Sequence, residues 1–276
     1  MSGRSRVGVL REGALAGYGS LVTGAGTGIG RAIALRLVEL GASVTGLGRR
    51  ADKLAETAEL AAGAAGRAGE AGASGAAGSF RFRSCDVRDE DEVVAAIDEA
   101  GGAHGLDLVV NNAGGQFFAQ ATRISPNGWR AVLDLNLTAI FTVLRAAHPY
   151  LARHGGSVVN ISLSGVERGG MGMAHSIAAR SGVLGLTRTL ALEWAADGIR
   201  LNCVGPGTVL TEGLSEEAAE HSRRSLIGKA TPMRRATTAE EVAELVAYLM
   251  TGQLVQVDGG AHLGPGLHML PEKERP

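Results

Sequence analysis

The sequence predicts an α/β protein built on a doubly wound parallel sheet, and two observations carry that expectation. Short apolar runs of strand length alternate with longer stretches of helical periodicity from residue 18 to residue 261, the pattern that lays helices on both faces of one sheet within a single domain. Between the first run and the first helix lies Thr23-Gly24-Ala25-Gly26-Thr27-Gly28-Ile29-Gly30. Glycines at such a turn let the backbone bend tightly and approach a ligand where a Cβ would clash.

Residues 1–17 read as an irregular lead-in. Leu21 and Val22 end the first strand, and Ile33, Leu37, Val38 and Leu40 then recur at helical spacing. A helix starting just after a glycine turn aims unpaired N–H groups and the positive end of its dipole at the turn, which suits a pyrophosphate. Ser43 to Leu47 is the second strand, ending in Gly48-Arg49-Arg50. A helix from about Asp52 to Ala62 leads into residues 63–79, almost wholly Ala and Gly, which predict a flexible surface loop. The third strand is Phe80 to Cys85, followed by a helix over Glu90 to Ala100 with Asp89 as its cap. Leu106 to Asn111 is nearly all apolar, as a strand buried on both faces should be, and stops at Asn111-Asn112-Ala113-Gly114-Gly115. Ser125 to Trp129 turns into a long helical stretch around Asn136 to Arg153. The fifth strand, Ser157 to Ile161, precedes a helix over Ala174 to Ala196 and the sixth strand, Ile199 to Val204. Pro206-Gly207 leaves that strand, and the polar segment 207–235 reads as a substrate lid. A helix over Glu240 to Met250, a last strand at Leu254 to Val257 closed by Asp258-Gly259-Gly260, and a tail over 262–276 complete the chain.

Composition narrows the function. The 27 basic and 28 acidic side chains leave a net charge of −1, so no global field favours nucleic acid or an anionic membrane as partner. Cys85 and Cys203 each end an apolar run, the setting of a buried thiol in a reducing compartment. No run reaches the ~18 apolar residues of a spanning helix, and Val7 to Leu10 is too short for a signal-peptide core. A soluble, cytoplasmic protein is expected. The seven histidines and two cysteines lack ligand spacing, so no metal site is expected.

Ligands of such sheets bind at the carboxyl ends of the strands. Gly24, Thr27, Gly28, Ile29 and Gly30 would surround a pyrophosphate. At the end of the second strand a carboxylate would accept from a ribose 2′-OH, whereas an arginine can pair with a 2′-phosphate. Arg49 and Arg50 stand there with no Asp or Glu in the turn, so NADP(H) is expected rather than NAD(H). The Asp86 carboxylate, with Val87 beside it, falls where it can accept from an adenine amino group.

Thr23-Gly24-x-x-x-Gly28-Ile29-Gly30, Asn111-Asn112-Ala113-Gly114, Asn136, Pro206-Gly207 and Asp258-Gly259-Gly260 together resemble the short-chain dehydrogenase/reductase family over residues 18–261. The resemblance implies a Rossmann fold of about seven strands, a homodimer or homotetramer, and hydride transfer from a nicotinamide. It also implies that Asn112 and Gly114 sit beside the adenosine ribose, that Pro206, Gly207 and Thr211 lie near nicotinamide and phosphates, and that Asn136 kinks its helix and holds a proton-relay water. Asn is indeed a poor interior helix residue without such a purpose.

The chain departs from that family at its centre. Family members carry a Ser followed by a Tyr-x-x-x-Lys in which the tyrosine protonates a carbonyl oxygen, while here Leu163, Ser176 and Arg180 occupy the three positions. A serine hydroxyl is a poor general acid at neutral pH. Reduction of a conjugated C=C bond asks less of it, because charge collects on a thioester oxygen as an enolate that needs donors rather than an acid. Ser at the tyrosine position is also a mark of the 2,4-dienoyl-CoA and peroxisomal trans-2-enoyl-CoA reductases. Asn111 to Phe117, Ser125 to Trp129 and His175 to Val183 are similar to the second of these. The expectation is an NADPH-dependent enoyl-thioester reductase acting on an acyl-CoA or acyl-carrier thioester, with Ser176 donating to the thioester oxygen and Arg180 binding the nicotinamide ribose and the enolate charge. His175 is either a proton donor at Cα or a packed core histidine. The alternatives are a ketone or 3-oxoacyl thioester reductase and a catalytically silent nucleotide-binding sensor.

Overall fold

The computed structural model describes residues 10–70, 78–167, 169–212, 216–221, 231 and 233–250. Strand β1 (Gly19–Thr23) and helix α1 (Gly28–Glu39) are joined by the glycine turn. After them come β2 (Ser43–Gly48), α2 (Ala51–Glu70), β3 (Ser79–Ser84), α3 (Glu90–His104) and β4 (Leu108–Asn111). A long helix follows as α4 (Pro126–Leu133), a π-turn over Asp134–Thr138 and α5 (Ala139–Leu151). Strand β5 (Gly156–Ile161), α6 (Ala174–Glu193), β6 (Ile199–Val204), the short α7 (Glu216–His221) and α8 (Ala239–Met250) complete the described elements.

The six strands are all parallel, in the order β3-β2-β1-β4-β5-β6. Chain order reverses between β1 and β4, and at this switch point neighbouring connections leave on opposite faces and open a crevice at the strand ends. β1 is buried along its whole length and aligns Leu21 with Thr45 of β2 and with Val109 of β4. One core cluster packs Ile33, Leu37, Val246 and Leu249 against the sheet, with α1 and α8 in contact. The other face packs Val93, Ile97, Val143, Leu144 and Val183. This is the doubly wound α/β architecture expected, with six strands among the described residues. The expected strand at 254–257, its Asp258-Gly259-Gly260 end and the tail lie outside them.

Residues 63–70 correct the sequence reading. The expected loop is the last part of α2, which continues to Glu70, because alanine has the best helix propensity and outweighs the interspersed glycines. Residues 71–77 lie outside the described part. The segment rejoins the fold tightly: a Cβ on Gly78 would lie 2.9 Å from the Ala42 carbonyl oxygen, so this position must be glycine for the chain to enter β3.

The continuous helix over Pro126–Leu151, 26 residues, is long and apolar enough to span a bilayer by length and composition alone, contrary to the expectation that no segment comes near that size. It carries Arg130, Asp134 and Arg145, and its buried residues Val132, Val143, Leu144 and Leu151 belong to the protein interior. It is a core helix, not a membrane span.

Candidate active site

The glycine turn closes over the end of β1. Thr23 Oγ1 accepts the backbone N–H groups of Asn112 and Ala113, both at 2.9 Å, and locks the exit of β4 to the exit of β1. Asn112 Nδ2 donates to the Thr23 carbonyl at 3.0 Å. The same amide leaves no space for a side chain at Gly30, where a Cβ would overlap both it and the Gly24 carbonyl. Asn112 thus acts on the turn itself, in addition to bordering the cleft. Gly24 and Gly28 have φ of 69° and 55°, the left-handed region that glycine enters without strain.

In front of the turn lies a cleft of about 280 Å³, bordered by Gly24, Thr27, Gly28, Ile29, Arg49, Arg50, Asp86, Val87, Asn112, Gly114 and Thr211. Gly30 supports it from behind. Thr211 reaches the far wall, where a Cβ on Gly28 would sit 2.9 Å from its Cγ2. Arg50 Nη2 lies 3.4 Å from Thr27 Oγ1, across the mouth. Lys53, which the strand-end reading overlooked, joins Arg49 and Arg50 on this rim. Its signal was available, since the first turn of α2 must face the end of β2. Asp86 is already engaged: Arg88 Nε lies 2.9 Å from its Oδ1 and holds the carboxyl below its ordinary range, chiefly through that side-chain hydrogen bonding. Pro206 and Gly207 do not border this cleft. They line a second hollow with Thr237, Glu241 and Val242, and the Pro206 carbonyl accepts from the Ser164 N–H at 3.1 Å. The lid expected over 207–235 is described only in part, and α7 belongs to it.

Gly114, on the cleft wall, adjoins Arg180 and Asn136, and Gly115, Gln116 and Ser176 lie beyond it, outside the residues that border the cleft. Asn136 lies in the π-turn, where the widened helix turns its side chain inward. Its Nδ2 donates to the carbonyls of Gly115 at 2.7 Å and Val132 at 2.8 Å, and its Oδ1 accepts from the Gly115 N–H at 3.2 Å. Arg180 donates through Nη1 to the Ile161 carbonyl at the end of β5. Burial pushes its pKa down to about 10, and no Asp or Glu among the described residues pairs with it. A largely desolvated cation without a counter-ion is costly unless a ligand supplies one. Ser176, fully buried, donates its hydroxyl to Gln116 Oε1. His175 is also fully buried; its Nδ1 accepts from the Ser176 N–H at 2.8 Å and its ring meets Phe117 edge-on at 4.3 Å. Its Nε2 is buried without a hydrogen-bond partner among the described residues. Leu163 borders a separate hollow with Ser162, Val166 and Leu184.

None of the three tyrosines stands here. Tyr150 donates to Asp98 at 2.7 Å, Tyr18 lines a hollow with Gly155 and Gly198 next to the start of β5, and Tyr248 is on α8. Among the described residues no cluster of His, Cys, Asp or Glu is suited to a metal, and both cysteines are free and buried.

A parallel sheet with a glycine turn and a cationic cleft at its switch point defines a protein of the dinucleotide-binding fold class. The chain belongs to the short-chain dehydrogenase/reductase family. A family model described as Enoyl-(Acyl carrier protein) reductase matches residues 24–262. A Bacillus subtilis (strain 168) protein named a probable 2,4-dienoyl-CoA reductase is 34% identical over 257 residues, 89% of this chain and 96% of its own length. The 3-oxoacyl-[acyl-carrier-protein] reductase FabG of Staphylococcus aureus (strain Mu50) is 34% identical over 260 residues, 88% of this chain and 98% of its own. Among solved structures, the citronellol catabolism dehydrogenase AtuB of Pseudomonas aeruginosa PAO1 matches with a TM-score of 0.71 at 34% identity, covering 88% of this chain and 90% of that one.

Proposed function

We propose that this chain is an NADPH-dependent reductase of the conjugated C=C bond of a 2-enoyl thioester, carried on CoA or on an acyl-carrier protein. The observation that carries the reading is the donor set beside Gly114 on the cleft wall: a guanidinium, a serine and an amide, with no phenol among them. Such groups stabilise negative charge on oxygen but are poor proton donors at neutral pH. The name of the Bacillus subtilis relative points the same way.

The residues fit a nicotinamide dinucleotide. The glycine turn is a cradle that a Cβ would fill, the unpaired Arg180 awaits a polar partner, and Arg49, Arg50 and Lys53 form a cationic rim suited to a 2′-phosphate. When bound, the nicotinamide would supply a hydride to the β-carbon. The π electrons of the C=C bond then move onto the thioester oxygen, where Arg180 and the Ser176–Gln116 pair face the charge, and a solvent proton at the α-carbon completes the two-electron reduction. Asn136, tied to Gly115 on both sides, fixes the strand exit that carries Gln116. The proposal includes a homodimer or homotetramer in the cytosol, a reducing setting in which the Cys85 and Cys203 thiols stay unpaired.

The test is NADPH oxidation by the purified protein with crotonyl-CoA, a longer 2-enoyl-CoA, a 2,4-dienoyl-CoA and acetoacetyl-CoA side by side. Turnover of an enoyl or dienoyl thioester supports the reading. Consumption of acetoacetyl-CoA alone replaces it with the 3-oxoacyl reductase that FabG exemplifies, and tight NADPH binding without turnover of any of them favours a nucleotide-binding sensor.

A further inference from the structure

Arg31 stands on the first turn of α1 and does not border the cleft, yet its guanidinium ties together three of the segments that do. Nη2 donates to the Gly26 carbonyl of the glycine turn at 2.6 Å and to Glu56 of α2 at 2.9 Å. Nε donates to Thr57 Oγ1 at 3.1 Å, and that buried hydroxyl lies 3.1 Å from the Ala25 carbonyl, a second tie between turn and α2. Nη1 donates to Glu212, at 3.2 Å from Oε2 and 3.4 Å from Oε1. The Arg31 side chain is 13% exposed and that of Glu212 64% exposed. The cation is therefore fixed by the turn and α2, and the acid comes to it.

Glu212 directly follows Thr211, which borders the cleft. Thr211 rests on the bare face of Gly28, where a Cβ would lie 2.9 Å from its Cγ2 and 3.7 Å from its Oγ1. The methyl, not the hydroxyl, packs on the turn, which leaves the hydroxyl for the cleft. We propose that Arg31 is a positioning residue for the dinucleotide: by holding Glu212 it seats Thr211 against Gly28, so that the Thr211 hydroxyl meets the pyrophosphate at the glycine turn. A pyrophosphate is common to NADPH and NADH, so this support serves both alike, unlike the rim of Arg49, Arg50 and Lys53. The role rests on the dinucleotide reading of the cleft and is independent of which thioester is reduced.

Charge alone predicts the opposite of positioning. Glu212 is an anion beside a site for an anion, so if repulsion were its whole effect, removing its charge would tighten binding. If it seats Thr211, removing its charge loosens binding.

The test measures the dissociation constants of NADPH and NADH by nucleotide fluorescence, together with melting temperatures, for the wild type and four variants. Glu212→Gln, at an exposed site, should melt like the wild type and weaken both dinucleotides by about two- to fivefold, the range of a partly exposed ion pair. Thr211→Val should weaken both by about tenfold, the worth of one hydrogen bond to a charged acceptor. The Thr211→Val/Glu212→Gln double variant should match Thr211→Val alone, because a group acting through another adds nothing once that other is gone. Arg31→Lys keeps the charge but loses the planar fork that serves four acceptors at once, and should weaken both dinucleotides by about tenfold. A merely structural part would lower melting temperatures and leave the dissociation constants of the folded protein unchanged.

Tighter binding in Glu212→Gln, a loss confined to NADPH, or additive losses in the double variant would overturn the role. A wild type that binds neither dinucleotide would remove the dinucleotide reading and this role with it. Wild-type affinity for both dinucleotides retained in Glu212→Gln and Arg31→Lys would remove the role alone.

Discussion

Gly114 and Arg180 occupy one space: a Cβ built on Gly114 would overlap Arg180 Nη2 and lie 2.8 Å from Asn136 Oδ1. The guanidinium can reach the inner end of the cleft only because residue 114 has no side chain. Gly114→Ala should push the guanidinium out of line while leaving the sheet intact. Misplacing a positioning charge by about 1 Å can cost ~10²-fold in rate, whereas overpacking at one methyl costs about 1–3 kcal/mol of stability. The expected variant is folded, melts a few degrees lower and has a kcat reduced far more than its stability. Equal rates for variant and wild type on the turned-over thioester would show that Arg180 takes no part at the reacting end.

Arg180 also sets a pH-dependent cost. Burial pushes its pKa down from the ordinary guanidinium range to about 10, so the folded protein binds this proton less tightly than the unfolded chain does. Below about pH 10 both states carry the charge and the full penalty is present; above it the folded state sheds the proton first and the penalty fades. Arg180→Met removes the charge and keeps most of the volume, giving up the hydrogen bond to Ile161. At pH 7 the ligand-free variant should melt at or above the wild-type temperature, and the difference should shrink as pH rises past 10. Added NADPH should raise the melting temperature of the wild type more than that of the variant, which keeps the glycine turn and Arg49. A variant that melts well below wild type without ligand would mean that the guanidinium is a structural strut.

The fold was legible because its signals are local and periodic. Apolar runs of strand length separated by helical repeats specify a doubly wound sheet, and Gly24, Gly28 and Gly30 mark the turn whose backbone conformation only glycine enters freely. Residues 63–70 misled because Ala/Gly composition argues against a packed core but not against a helix, and alanine favours one. At the site, Arg49, Arg50, Asn112 and Thr211 could be placed on the cleft from their order after each strand. Gln116 could not be singled out, since its contact with Ser176 joins residues 60 apart in the chain. The same holds for the Arg88 clasp on Asp86, where a neighbouring cation competes for the carboxylate assigned to adenine.

Thr23 carries more of the site's stability than its size suggests. One hydroxyl oxygen accepts two consecutive backbone N–H groups, from Asn112 and Ala113, and its proton points toward the Val110 carbonyl 3.4 Å away. Thr23→Val keeps the shape and strands both donors in the buried seam between β1 and β4. Each unsatisfied group costs about 1–3 kcal/mol, so chemical denaturation should report a loss of about 2–5 kcal/mol with an unchanged slope. NADPH affinity should fall as well, because the glycine turn loses its anchor to the neighbouring strand. A loss below about 1 kcal/mol would mean that water reaches this seam.

The proposed preference for NADPH rests on the cationic rim. Arg49, Arg50 and Lys53 border the cleft at the end of β2, but their positions differ in consequence. Lys53 is already paired with Glu56 at 2.5 Å, and Arg50 leans on Thr27, while Arg49 has no ion-pair partner among the described residues. A 2′-phosphate would therefore draw first on Arg49, and an arginine offers a planar pair of donors that a lysine cannot match. Arg49→Ser should raise KM for NADPH by ~10–100-fold, about 1.4–2.8 kcal/mol, and leave KM for NADH within about twofold of the wild type. Arg50→Ser should show a smaller rise, because part of its worth lies in bracing Thr27 at the mouth, and that bracing serves both dinucleotides. Steady-state kinetics with each cofactor at saturating thioester separates the two effects. Parallel losses for NADPH and NADH in Arg49→Ser would mean that Arg49 supports the turn and that the 2′-phosphate is not what it binds.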